Sequence, residues 1–310
     1  MGAIVGSTPV HNARPARDRR ADGSHALTDA ACSLSALAVY PIKSCAGILM
    51  PQTLLVETGL EFDRAWMVVD GDGEMLTQRE WPRMALVQPQ FRHGELMLRA
   101  PGMLALHLRL DTVESATRVR VWDDVVRAYD MGALAAQWFS DFLGTKARLV
   151  RFDPEEKRLS APEWTGPVQS PNAFSDGFPL LVTNQASLDD LNARLAAKGV
   201  AAVSMQRFRP NLVLGGLQPF DEDHIDTLEV ATAQGPVQLR LAKPCVRCGI
   251  PNVDPASGLP SSEPGATLAG FRADARMRGG ITFGVNAIIV AGHERSLCAG
   301  QPVTARWRFE

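Results

Sequence analysis

The apolar residues of this chain come in short runs closed by turn residues, a pattern that builds strands rather than long helices. Leu34-Ser35-Ala36-Leu37-Ala38-Val39-Tyr40 alternates in strand fashion and stops at Pro41. Ala65-Trp66-Met67-Val68-Val69 is a second run. The turn Asp70-Gly71-Asp72-Gly73 follows it, then Glu74-Met75-Leu76-Thr77, and together they predict a hairpin. Residues 96–98, 104–108 and 119–121 continue the series, and later strands are expected at 180–182, 211–214, 228–230, 237–241, 287–290 and 303–308. Two segments change to helical spacing. In 133–143, positions 134, 138, 139 and 142 share one face; in 187–195, Leu188, Leu191 and Leu195 do, with Ser187 as N-cap and Gly199 as the stop. The fold class is therefore α+β and β-rich.

Composition narrows the setting. Residues 1–30, rich in Arg, Ala, Asp, Gly and Ser, predict a disordered tail. Residues 31–152 form a first β-rich domain, 153–172 with Pro162, Pro167 and Pro171 a linker, and 173–310 a second domain. Net charge is −2, which gives no electrostatic reason to expect nucleic acid or an acidic membrane as partner. No apolar run approaches the ~18 residues that span a bilayer, and the N-terminus lacks the apolar core of a secretory signal. The five cysteines are accordingly expected as reduced thiols of a cytoplasmic protein.

One close pair of those thiols, Cys245 and Cys248 in Lys243-Pro-Cys-Val-Arg-Cys248, follows an expected strand. A structural zinc site wants a second close pair of Cys or His, and the sequence offers none. A thioredoxin-type pair should open a helix, yet Pro251 and Pro255 follow at once. A single thiolate ligand for a soft transition metal, with Lys243 and Arg247 supplying positive charge, fits the setting; so does a buried, inert cysteine. Basic residues beside turns are the second signal: Lys43 and Ser44 after one strand, Arg64 before another, Arg207 and Arg209 before a third. With the helix start at Ser187 they would make a pocket for a phosphorylated ligand, provided they converge. Walker A, G-x-G-x-x-G, H-E-x-x-H and G-x-S-x-G sequences are missing. The Asp70 turn is not a calcium loop, since Trp81 stands where its last ligand should be.

Taken in order, a set of segments resembles the MOSC superfamily. They are Val39-Tyr-Pro-Ile-Lys-Ser44, residues 59–69, 76–83, 174–180 and 186–192, Arg207-Phe-Arg-Pro-Asn211, Lys243-Pro-Cys-Val-Arg-Cys248, residues 253–255 and Phe283-Gly-Val-Asn286. Within that superfamily the chain is similar to the amidoxime-reducing branch, mitochondrial and bacterial. The resemblance spans about residues 33 to 308 and implies a MOSC β-barrel domain preceded by a smaller β-barrel-like domain, with a few packed helices. It implies a molybdenum–molybdopterin cofactor whose metal is held by Cys248. Lys43, Ser44, Arg64, Ser187, Arg209, Asn211, Val246, Arg247 and Asn286 fall on cofactor-contacting positions, and Asp254 is a candidate proton donor. The implied activity is reduction of N-hydroxylated compounds, N–OH to N–H. Electrons are expected from a separate ferredoxin, flavoprotein or cytochrome b5-like protein, since no cysteine-rich ferredoxin-like domain follows residue 310 and no membrane anchor precedes the first domain. Two other readings stay open: sulfur transfer through a cysteine persulfide, weakened by the lack of a pyridoxal-binding region, and a non-enzymatic carrier of the cofactor.

Overall fold

The computed structural model describes residues 1–2 and 29–308, so nearly all of the expected tail lies outside the described residues. Its centre is a closed barrel of seven strands: β1 (Ala30–Val39), β2 (Leu180–Asn184), β3 (Leu212–Gly215), β4 (Ile225–Val230), β5 (Val237–Val246), β6 (Gly280–Ala291) and β7 (Pro302–Trp307). Around the barrel they run β2-β3-β1-β7-β4-β5-β6, and β6 pairs back onto β2. Only β2 and β3 are parallel, which is why a helix joins them. The inward positions are filled by Leu34, Leu37, Val39, Val182, Leu214, Leu228, Leu239, Val285, Ile289 and Val303, all buried in one cluster. Closure leaves no bare sheet edge.

β1 comes from the first half of the sequence but pairs with β3 on one side and β7 on the other. Gln52–Val56 likewise pairs with Arg295–Cys298. The sheets therefore cross the division that composition draws between the two halves.

The rest of the first half forms a second layer. One sheet has the order Trp66–Val69, Arg148–Phe152, Asp124–Asp130, Ala116–Val121, and a meander runs through Gln88–Arg92, Glu95–Arg99 and Leu106–Arg109. Helix α1 (Ala133–Leu143) packs on them through Trp138, Phe139 and Phe142. Leu134, expected on the same face, is 70% exposed: the buried face runs through Ala135, Trp138, Phe139 and Phe142, and Leu134 falls to one side of it. The Asp70 turn does close a hairpin, with Val69 bridging Met75 and the Asp70 carboxylate accepting the Asp72 and Glu74 amides.

Helix α2 (Gln185–Ala197) begins earlier than the sequence predicts. Asn184, still extended at the end of β2, is its N-cap: its side-chain oxygen accepts the Ala186 amide at 3.2 Å. Ser187 is displaced into the first turn, fully buried, where it donates to Glu222 Oε2 at 2.7 Å and accepts the Phe220 amide. Residues 153–172 are not a loose linker either. Leu159 bridges Pro171, Pro162–Thr165 makes one helical turn, and Arg158 is buried. Among the described residues no helix is long and apolar enough to cross a membrane.

Candidate functional site

A cavity of about 500 Å³ opens between the barrel and the second layer. Four backbone elements shape it. The chain leaves β1 at Pro41 and turns sharply, with Cys45 N donating to Ile42 O and Lys43 N to Trp66 O. The turn over residues 61–65 is locked to that exit: Tyr40 N donates to Asp63 Oδ1 at 2.7 Å, and Arg64 N to Tyr40 O at 2.8 Å. The 3₁₀ turn Met205–Phe208 anchors Phe208 against Phe283, rings stacked 3.9 Å apart, and releases Arg209 into the cavity. The last element is the irregular end of β5, whose pairing with β6 slips between Pro244 and Val246; such bulges re-aim side chains. The strand runs through Val246, so Cys245 lies within it rather than after it.

Ser44, Arg64, Trp122 and Arg209 line this cavity with φ of 68°, 48°, 54° and 58°. A left-handed conformation costs a non-glycine residue roughly 1–2 kcal/mol, and such strain gathers at functional sites because the surroundings impose it. Here the imposing groups are visible: the guanidinium carbons of Arg64 and Arg209 lie 4.4 and 4.3 Å from the centre of the buried Tyr40 ring. Arg64 also holds Asp63 Oδ2 at 2.5 Å and the Arg209 carbonyl at 3.0 Å.

The cavity is rich in cations: Lys43, Arg64, Arg79, Arg158, Arg209, Lys243 and Arg247, against Asp124 and Asp176. Lys43 is buried and donates to the Phe174 carbonyl at 2.8 Å and to Asp176. Burial lowers the Lys43 ammonium, partly offset by that carboxylate. The Asp176 side chain is 63% exposed at the cavity mouth; partial desolvation there would raise its carboxyl, but Lys43, the Trp122 indole N–H and Arg79 hold it below its ordinary range, so it stays charged. Burial also brings Arg209 down to about 10, with Arg64 adding repulsion, and it still carries its charge at neutral pH.

Cys45 and Cys32 are pushed up by burial, to about 12 and about 11, and lie outside the cavity. Cys245 and Cys248 line it, the first half-buried and the second exposed. Arg247 reaches Cys245 Sγ through Nη1 at 3.1 Å and the Phe208 carbonyl through Nη2 at 2.9 Å. Two buried nitrogens here, Arg209 Nη2 and Arg247 Nε, have no partner among the described residues. Buried donors are normally satisfied, so a cationic cavity with two idle donors is built for an anionic ligand bearing several acceptors.

Of the residues expected at the site, Lys43, Ser44, Arg64, Arg209, Asn211, Val246, Arg247, Cys248 and Asn286 line this cavity. Asn211 also serves the barrel: its side chain accepts the Leu181 amide at 3.0 Å and donates to the Ala38 carbonyl at 3.3 Å. Ser187 does not line it, its hydroxyl being engaged by Glu222 and Phe220. Asp254 borders a second hollow of about 780 Å³, where its carboxylate accepts the Ala256 amide and lies 3.8 Å from Arg207. Sequence reasoning missed Arg79, Trp122, Arg158 and Asp176. Arg79 and Asp176 lie inside motif segments; for Trp122 and Arg158 the sequence carries no signal.

Fold and site define a closed barrel whose flank gathers a cation-lined cavity around an exposed thiol. Residues 31–146 match the MOSC N-terminal beta barrel domain and residues 169–304 the MOSC domain. The mitochondrial amidoxime reducing component 2 of Rattus norvegicus is 35% identical over 280 residues, 86% of this chain and 78% of that protein. Component 1 of Homo sapiens is 33% identical over 279 residues, with the same two shares of 86% and 78%. The molybdenum cofactor sulfurase of Arabidopsis thaliana is 31% identical over 270 residues, 81% of this chain but 32% of that protein. The chain belongs to the family of MOSC-domain proteins that carry both the N-terminal barrel domain and the MOSC domain.

Proposed function

We propose that this protein is a molybdenum-cofactor-dependent reductase that converts the N–OH group of N-hydroxylated compounds to N–H, with electrons from a separate donor protein. The carrying observation is that one cavity brings together the exposed Cys248 and the idle buried nitrogens of Arg209 and Arg247. A thiolate is a soft ligand suited to a late or redox-active metal, and fixed guanidinium donors suit a phosphate. The mammalian relatives, named amidoxime reducing components, favour the same activity.

In this reading Cys248 Sγ holds the molybdenum. Lys43, Ser44, Arg64, Arg209 and Arg247 take the anionic end of the pterin, with Asn211, Val246 and Asn286 in the walls. When bound, the group supplies the two-electron chemistry that N–OH reduction needs. The chain's own part is orientation and charge. Asp176, kept ionised beside Lys43, acts as a fixed counter-charge rather than a proton source. Arg158 ties the segment around residues 172–175 to the cavity wall.

The test is molybdenum and pterin content after expression in a cofactor-making host, for wild type, Cys248→Ala and Cys245→Ala, then turnover of an amidoxime with a reduced viologen dye. A stoichiometric metal load that vanishes in Cys248→Ala and persists in Cys245→Ala is expected. A well-folded wild type without molybdenum, where a control molybdoenzyme loads, would overturn the reading and bring sulfur transfer through Cys248 forward.

A further inference from the structure

Buried polar side chains are normally hydrogen-bonded, so a buried one left idle beside open space is placed for a partner. The second hollow, of about 780 Å³, holds two of them. Gln78 is 5% exposed and Tyr40 2% exposed. Neither the Gln78 carboxamide nor the Tyr40 hydroxyl has a hydrogen-bond partner among the described residues. Neither group is sealed off, and both residues line the hollow.

Both groups are held in place. Gln78 sits in a turn fixed by Thr77, whose carbonyl accepts the Trp81 amide at 2.8 Å and whose hydroxyl accepts the Arg79 amide at 3.2 Å. Thr77 and Arg79 line the thiol-bearing cavity while Gln78 between them lines the hollow, so this turn is part of the wall between the two. The Tyr40 ring is packed against the Arg64 and Arg209 guanidinium groups, and Gly47 runs so close that a Cβ there would stand 2.5 Å from the ring. Burial pushes the Tyr40 hydroxyl up to about 12, so it stays a protonated donor.

Where the hollow is enclosed, its free chemistry is neutral. Arg207 is held by the Pro251 carbonyl at 3.2 Å and lies 3.8 Å from Asp254, Arg209 is held by the Cys45 carbonyl, and Arg99 is exposed to water. The buried Met97, Val203 and Val253 add apolar walls. A carboxamide presents a donor and an acceptor side by side, and its complement is a second amide with N–H and C=O on one edge. A hollow of this size takes one small molecule. We propose that it is a binding site for a small neutral amide, a lactam or a primary carboxamide on an apolar ring, paired with Gln78 and bonded by the Tyr40 hydroxyl. Such a ligand carries no N–OH group, so the inference stands or falls apart from the reductase reading.

Binding is measured by calorimetry and saturation-transfer NMR on the full chain as purified, with 2-pyridone and nicotinamide as probes. Their methylated forms, N-methyl-2-pyridone and N,N-dimethylnicotinamide, keep the ring and lose the N–H. At least one probe is expected to bind with a Kd of about 1 mM or tighter, and its methylated form about tenfold more weakly. Gln78→Met, which keeps the length of the side chain, should weaken binding about tenfold, and Tyr40→Phe, which keeps the ring, about threefold. Near-UV circular dichroism checks each fold; should Gln78→Met not fold, Tyr40→Phe and the methylated forms decide. No binding of either probe, equal binding of the methylated form, or wild-type binding in the folded variants overturns the site.

Discussion

Arg247 is braced by Cys245: its Nη1 donates to the sulfur at 3.1 Å, while Nη2 holds the Phe208 carbonyl at 2.9 Å. The two bonds join the end of β5 to the Met205–Phe208 turn, and the buried Nε of the same fork is left idle. This gives the first cysteine of the pair a positioning role distinct from that proposed for Cys248. Cys245→Ala should keep molybdenum but release the cofactor more readily, by about two- to tenfold, the worth of one hydrogen bond. Cys245→Ser, which restores an acceptor, should recover most of the retention. Cofactor loss on dilution measures both; a Cys245→Ala protein as empty as Cys248→Ala would contradict this division of labour.

Arg209 is a half-buried cation whose enclosed Nη2 has no partner among the described residues. Its Nη1 donates to the Cys45 carbonyl and its guanidinium packs on the Tyr40 ring, so in the proposed reading only the idle nitrogen is left for the ligand. Arg209→Gln should lower cofactor retention about tenfold or more, as expected for a lost charge-assisted bond. The thermal midpoint of the cofactor-free protein should stay level or rise. A large fall in that midpoint would show Arg209 to be structural.

Glu222 is fully buried beside Ser187, with Oε1 unpartnered, and burial pushes its carboxyl up to about 7. The folded protein therefore keeps this proton after the unfolded chain has released it. Its contribution is complete below the ordinary glutamate range near 4.5 and is lost as pH rises toward about 7, by on the order of 3 kcal/mol. Urea unfolding at several pH values should show that decline, and Glu222→Gln should flatten it and be the more stable protein above pH 7. Parallel curves for the two proteins would rule out Glu222 as the source.

Arg158 gathers Asn172 Oδ1 at 2.5 Å, the Ala173 carbonyl at 3.1 Å and the Ser175 carbonyl at 2.6 Å on one nitrogen, and Asp124 on another. Arg158→Met keeps the bulk but leaves the Ala173 and Ser175 carbonyls without this donor, while Asn172 Oδ1 keeps the Ser175 hydroxyl, a cost of about 3 kcal/mol. Denaturant unfolding should register it, and amide exchange across residues 158–175 should quicken. Unchanged exchange there would mean that other contacts hold the segment.

What the sequence determined by itself is local. Alternation, turn chemistry and helical spacing are written in neighbouring residues, so β1, the Asp70 hairpin and α1 with its bounds Ala133–Leu143 are legible from the text alone. The ordered motifs likewise single out the residues at the exit of β1, at the 61–65 turn, after Phe208 and at the end of β5. What tertiary structure alone decided is which partner each group meets. β1 closes the barrel between β3 and β7 because pairing buries its apolar face there, a contact with residues far along the chain. Ser187 looks like a cap until Asn184 takes that place and Glu222 takes the hydroxyl. Arg158 and Leu159 read as linker until a long-range hairpin buries the cation and exposes the leucine. The reason is the same in each case: propensity acts over one turn or one strand, whereas burial and hydrogen-bond satisfaction are settled only when distant segments are brought into contact.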